Sequence, residues 1–217
     1  MPGETYIKAE FRAHLELLKP DGFTLNSDDE FEKTISNGKI FIVCRGNEYF
    51  PHSFRFGSVL AKIRFANVED KFAQACTATS NATYSADADD STFARGFGRA
   101  VIGEAGFDTL YDNEVEDDFS FQIVRPLLEQ MRDAALAWAD QNDTLQKAFD
   151  NTEAISLDAR SDIYSHPFPA KYMIVKKLMS TSDYSSYSTD IVNYYNSQSD
   201  TTKANFYQLL KATLDAL

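Results

Sequence analysis

Asp87, Asp89, Asp90 and Ser91 set oxygen-bearing side chains at the alternating intervals with which a calcium loop begins. A hard cation needs about six or more oxygens converging on one point, and short spacing on a turning backbone supplies them. The pattern then stops. The position that needs glycine for the sharp turn is Thr92, and the position that needs a bidentate glutamate is Gly98. Gly96, Gly98 and Gly103, flanked by Arg95 and Arg99, resemble a phosphate-cradling loop only loosely: a dinucleotide fingerprint needs glycine where Val101 stands, and no P-loop lysine follows. His14, His52 and His166 are scattered, no second histidine or cysteine completes a zinc face with any of them, and no Gly-x-Ser-x-Gly elbow is present. No catalytic residue, cofactor-binding residue or metal ligand is therefore assigned. The chemical alternative is a metal-dependent hydrolase whose least unfavourable ligands are Asp87, Asp89 and Asp90.

The other concentration of reactive groups is a run of carboxylates: Asp112, Glu114, Glu116, Asp117 and Asp118. The nearest basic residues in sequence are Arg99 and Arg125, so the run should project a negative field at the surface. It lies in the more acidic half of an acidic chain. Residues 1–110 hold 12 basic and 16 acidic side chains, residues 111–217 hold 9 and 17, and the net charge is −12. Such a charge disfavours nucleic acid and anionic membrane and attracts cationic partners. The plain reading of residues 112–118 is a solvated loop; the functional reading is a docking site for a basic protein partner. No apolar run is long enough to span a bilayer and the start, Met1 to Glu10, lacks the pattern of a signal peptide, so a cytoplasmic location is expected. Cys44 and Cys76 are too few for a disulfide framework and read as buried thiols.

These groups must be carried by an α+β framework. Ile7, Phe11, Leu15 and Leu18 recur at helical spacing and Lys19-Pro20-Asp21-Gly22 stops them, which predicts a helix over 5–19. The period then changes. Residues 23–25, 31–36, 39–45, 54–56 and 62–65 read as strands of an antiparallel meander, with Gly46-Asn47 as a turn. Val68, Phe72, Ala75 and Cys76 predict a helix over 67–78 capped by Asn67. Residues 79–92 read as loop, and 96–106, with four of the nine glycines, as an irregular or broken helix. Phe119, Phe121 and Ile123 alternate, which predicts a strand entering a helix that starts near Pro126. A short helix is expected over 145–151, a rigid turn over 165–169, and helices over 169–180, 184–197 and 200–216, with Ser182, Asp183 and Asp200 as N-caps. Tyr184, Tyr187, Tyr194, Tyr195 and Tyr207 crowd this last part and read as helix-packing residues. The expected fold is a meander sheet packed by helices with a helical C-terminal third, organised as an α+β domain over 1–150 and a helical extension over 151–217 on the same core.

The helix over 5–19 ending in Leu18-Lys19-Pro20-Asp21-Gly22-Phe23, the strands through Phe41 and Phe56-Gly57, and Phe119-Ser120-Phe121 leading into Leu127 to Trp138 resemble the bacterial domain-of-unknown-function family numbered 4304. The likeness covers about residues 5–150 apart from 79–106. It implies an α+β domain and brings no catalytic residue with it. Together these features favour an intracellular bacterial protein that binds another protein, with an immunity-like role against a basic toxin as the sharpest form. A structural or phage-associated component is a third reading.

Overall fold

A computed structural model describes residues 3–49, 53–79 and 91–217. His52 and the acidic triplet Asp87, Asp89 and Asp90, with most of the expected loop over 79–92, lie outside these residues. The fold is α+β: the described residues form a five-stranded antiparallel sheet and nine helices, with helices alone from Leu145 onward apart from a single bridge at Tyr164.

The elements are α1 (Gly3–Leu18), β1 (Thr24–Leu25), β2 (Phe31–Ile35), β3 (Gly38–Tyr49), β4 (Ser53–Phe65), α2 (Ala66–Thr79), β5 (Phe93–Phe97), α3 (Arg99–Asp112), α4 (Asp118–Gln141), α5 (Leu145–Glu153), α6 (Leu157–Ser161), α7 (Phe168–Leu178), α8 (Tyr184–Asn196) and α9 (Thr201–Asp215). Strand order follows chain order from β1 to β5, an antiparallel meander as expected, but segments 54–56 and 62–65, read as separate strands, form one continuous strand, β4, because no turn interrupts them. In β1 and β2, Thr24 faces Glu32 and Leu25 faces Phe31.

The chain divides into two compact units. The first comprises Met1–Ile35, Lys39–Ile63 and Arg95–Asp143; the second comprises Ser36–Gly38, Arg64–Ala94 and Thr144–Leu217. The C-terminal helices fall in the second unit. That unit also takes α2 from the middle of the chain.

In the first unit α1 and α3 both pack on α4. Leu15 and Leu18 of α1, Ile40 and Ile42 of β3, Phe54, Phe56 and Val59 of β4 and Phe121, Val124, Leu128 and Met131 of α4 are buried together. Phe11, Phe54 and Phe56 form an aromatic corner, with the Phe11 ring edge-on to Phe54 at 5.0 Å and stacked on Phe56 at 5.6 Å. Along β4 the buried apolar side chains sit at Phe54 and Phe56 and then at Val59, Leu60, Ala61, Ile63 and Phe65, so the every-second-residue burial of a half-exposed strand is interrupted in its middle.

In the second unit α2 packs on α7 and α9, and α8 on α7 and α9. Phe72 of α2 meets Phe206 of α9 edge-on at 5.9 Å. Helix α7 is central: Ala170 through Lys176 are all buried. A helix buried all round is normally apolar all round; α7 carries Lys171 and Lys176, and both need partners.

Several expectations are corrected. The segment Phe119 to Ile123 is not a strand, and no helix begins at Pro126: α4 runs unbroken from Asp118, with Pro126 inside it. The alternation is two helical faces interleaved, since Phe121 is buried while Phe119 and Ile123 are exposed. A capping box at Asp117 and Ser120 and the buried stripe from Phe121 to Trp138 outweigh the hydrogen bond that proline forgoes. Gly46-Asn47 is not a turn but lies inside β3; a Cβ at Gly46 would meet the Arg55 carbonyl at 3.0 Å, so this glycine serves the close approach of two strands. Asn67 does not cap α2, which starts one residue earlier at Ala66. Asp200 caps α9 through Lys203 N–H and Asp183 holds the N-cap position of α8, both as expected, but the Asp183 carboxylate bonds Lys176 in place of the helix backbone and Ser182 lies one residue before the cap. The glycine-rich stretch is a helix broken at Gly103, whose φ of 72° and ψ of 176° suit only glycine. Strand β5 and the short helix α6 were not foreseen in the sequence.

Candidate functional site

The acidic run belongs to the first unit, in the connection between α3 and α4. It is not a loose loop. Val115 is fully buried and exchanges backbone hydrogen bonds with Phe54, donating N–H at 2.8 Å and accepting at 3.2 Å, so the run is pinned to β4 at its centre. Its neighbours then point alternately. Glu114 turns toward the strand, where Arg55 pairs with it at 3.0 Å and Ser53 Oγ donates to it at 2.7 Å. The Arg55 guanidinium also lies over the Tyr111 ring at 4.8 Å. A cation distant in sequence therefore neutralises one of the five carboxylates.

The other four run from the end of α3 to the first turn of α4. Asp112 ends α3 and is exposed, as is Glu116. Asp117 is the N-cap: its carboxylate accepts from Ser120 N–H at 2.8 Å, and Ser120 Oγ accepts from Asp117 N–H at 3.0 Å. The Ser120 backbone and hydroxyl bonds hold the Asp117 carboxyl below its ordinary range. Asp118 occupies the first turn, where the positive end of the helix dipole favours it. Its carboxylate is almost wholly solvent-facing and lies 3.3 Å from Nε2 of His14. Among the described residues no lysine or arginine pairs with Asp112, Glu116, Asp117 or Asp118. Next to them the Phe119 side chain is 78% exposed.

His14 is buried, with Nδ1 2.8 Å from the Glu10 carbonyl and its ring 4.4 Å from Phe121. It packs α1 on α4. His166 is exposed and precedes a cis peptide bond to Pro167. Among the described residues no group of three or more His, Cys, Asp or Glu side chains is placed to hold a metal ion, and no helix is long and apolar enough to cross a membrane. Arg95 and Arg99 lie over Phe97 and Phe107, and Arg99 also pairs with Glu104 at 3.3 Å. They do not converge on the glycines as an anion cradle. Gly98 instead opens α3 by accepting from Val101 N–H at 2.8 Å.

Two open clefts mark the first unit. One, of about 470 Å³, is lined by Lys19, Lys33 and Arg132 and by Asp21, Asp133 and Asp140, charges of both signs in equal number. The other, of about 570 Å³, is lined by Asp28, Asp29, Cys44, Arg45, Gly46 and Ser58 among others. Burial pushes the Cys44 thiol up to about 12 despite the nearby Arg132, so it is a thiol at neutral pH and not a nucleophile. Burial raises Cys76 as well.

The second unit holds two polar clusters that sequence reasoning missed. In one, Lys171 is fully buried; its ammonium pairs with Glu69 at 3.1 Å and donates to the Ser91 carbonyl. Glu69 also accepts from Thr92 Oγ1 at 2.7 Å, and the Ser91 and Ser165 hydroxyls meet at 2.8 Å. In the other, Arg160 donates to Glu153 at 2.6 Å and to the Tyr172 hydroxyl at 2.5 Å, while Tyr172 donates to Glu153 at 2.5 Å. Lys176 lies 4.8 Å from the Tyr172 ring and reaches both Asp183 oxygens, at 2.7 and 2.9 Å. Burial pulls the Lys176 ammonium down, but the bonds to Asp183 and Tyr172 outweigh it and hold the group above its ordinary range. Tyr172 is raised by burial and by Glu153. Lysines in Lys171-Tyr-Met-Ile-Val-Lys176 give no sequence signal of burial. The only hint was the helical pattern closing around them.

The crowded tyrosines do pack. Tyr195 stacks on Tyr207 at 4.1 Å, and Tyr184 and Tyr207 are buried, although Tyr194 is 58% exposed. No protein-family model matches the chain, and comparison with curated proteins and with solved structures finds no match.

Proposed function

We propose that the chain works by binding a basic protein partner at the start of α4, where Asp112, Glu116, Asp117 and Asp118 precede an exposed Phe119. The observation that carries this reading is Phe119 itself. A phenylalanine 78% exposed next in sequence to carboxylates that no lysine or arginine pairs with among the described residues combines an apolar anchor with a steering field. Glu114, committed to Arg55 and Ser53, holds the connection in place and does not belong to the docking set. The net charge of −12 supports a cationic partner over nucleic acid. The sharpest form is an immunity-like role in the cytoplasm, in which an acidic inhibitor meets a basic nucleic-acid-cleaving toxin quickly through long-range attraction. The resemblance of residues 5–150 to the family numbered 4304 adds no site residue to this reading.

Affinity capture with the immobilised full chain tests it, run beside the E116Q/D117N/D118N variant. Asn caps a helix as well as Asp does, so the variant removes charge and keeps the fold. The expected result is a protein of basic isoelectric point held by the unaltered chain, released by moderate salt and lost by the variant at nearly equal melting temperature. Equal capture by both chains would remove the acidic segment from the proposal.

A further inference from the structure

Helix α4 carries two apolar stripes. One is the core stripe: Phe121, Val124, Leu128, Met131, Ala135 and Trp138 are buried. The second lies on the opposite side, where Phe119, Ile123 and Pro126 recur at intervals of four and three residues and are all exposed. Residues at that spacing stand one above another on a helix, so the three form a continuous ridge. A surface helix ordinarily turns polar residues to this side. Here the ridge begins at the turn that holds Asp117 and Asp118 and runs away from it along the helix.

We propose that this ridge is the apolar half of the docking surface and that its occupant is a cationic amphipathic helix of the partner. Phe119, Ile123 and Pro126 would take that helix's apolar face, and Glu116, Asp117 and Asp118 its basic residues. The inference rests on the proposed function and narrows the partner to one chemistry. Charge selects the occupant: a second copy of this chain would bring another net charge of −12 against the same carboxylates, and an anionic lipid surface would be repelled by them. An extended basic segment would use the carboxylates and leave the ridge bare. An amphipathic helix uses both, laying its anchors along a line of the same period.

Two synthetic peptides of identical Lys and Leu composition test this, each about 15 residues long, enough to sustain a helix when bound. In one, leucines fall on a single helical face; in the other they are scrambled. Titration into the full chain is followed calorimetrically and by amide chemical shifts. The expected result is binding of the amphipathic peptide at least roughly tenfold tighter than the scrambled one, with shifts centred on 116–126. F119A should abolish the preference without changing the melting temperature. Equal binding of both peptides at 112–118, unaffected by F119A, would overturn the amphipathic occupant and leave the basic-partner reading standing. Shifts confined to other parts of the chain, or no binding by either peptide, would overturn both.

Discussion

The start of α4 and the centre of α7 carry the same kinds of charge and solve opposite problems. At α4, Glu116 and Asp118 stand in water with no lysine or arginine paired to them among the described residues. At α7, Lys171 is fully buried with its ammonium on Glu69, which is itself buried and bonded to Thr92. A charge in water contributes little to folding and remains free to act at a distance; a charge in the interior must be matched or the structure is lost. The contrast indicates where to look for function in this chain. At α7 the second unit ties buried ions into its own fold, while at the start of α4 the first unit leaves Glu116 and Asp118 exposed beside an exposed aromatic side chain.

The largest expected effect breaks the buried side of the contrast. K171M strands the Glu69 carboxylate, and the unfolding free energy should fall by about 3–5 kcal/mol, whereas E69L/K171M, which removes both charges, should recover most of it. Denaturant-dependent hydrogen exchange at α7 reads both. A loss below about 1 kcal/mol in K171M would show that burying this pair carries no large desolvation cost and would erase the difference between the two regions. Next in size is R160A, which removes the bonds to Glu153 and Tyr172. Arg160 and Glu153 are partly exposed whereas Tyr172 is buried, so about 1–3 kcal/mol is expected, and R160K should not restore it because a lysine cannot hold both partners in one plane.

The same contrast explains what could be read in advance. Helix α1, the meander and the three C-terminal helices were legible because apolar side chains repeat at the period of the element that buries them. The α4 start was not. Phe119, Phe121 and Ile123 alternate like a strand because an exposed ridge and a buried stripe overlap there, and alternation cannot distinguish a wet sheet face from a second helical face. The carboxylates were legible as a cluster, but the removal of Glu114 by Arg55 depends on the Val115 bridge to Phe54, a pairing across 61 positions that no local pattern encodes. Lys171 and Lys176 were illegible for a related reason: their partners Glu69 and Asp183 become neighbours only after folding.

Smaller effects sharpen the comparison through pH. The Lys176 bonds hold the Asp183 carboxyl below its ordinary range. Its contribution is therefore complete above the unfolded value of about 4 and is lost as pH falls through the lower folded value. D183N should flatten that acid limb of the stability curve measured by thermal melting, and an unchanged limb would remove Asp183 from it. Asp117, also lowered, follows the same sign. D117A should lower the melting temperature slightly and D117N should leave it nearly unchanged, because asparagine caps equally well. Last, E116Q/D118N should lower the melting temperature only slightly, since all it gives up is the exposed Asp118 charge in the first turn of α4 beside His14.

The most direct test of the exposed charges is the association rate of the captured partner, measured by stopped flow over a range of salt concentrations for the unaltered chain and for E116Q/D117N/D118N. The expected result is fast association that slows steeply with salt in the unaltered chain, and slower association with a shallower salt dependence in the variant. Identical rates and identical salt slopes in the two chains would contradict the assignment and return residues 112–118 to a purely structural role.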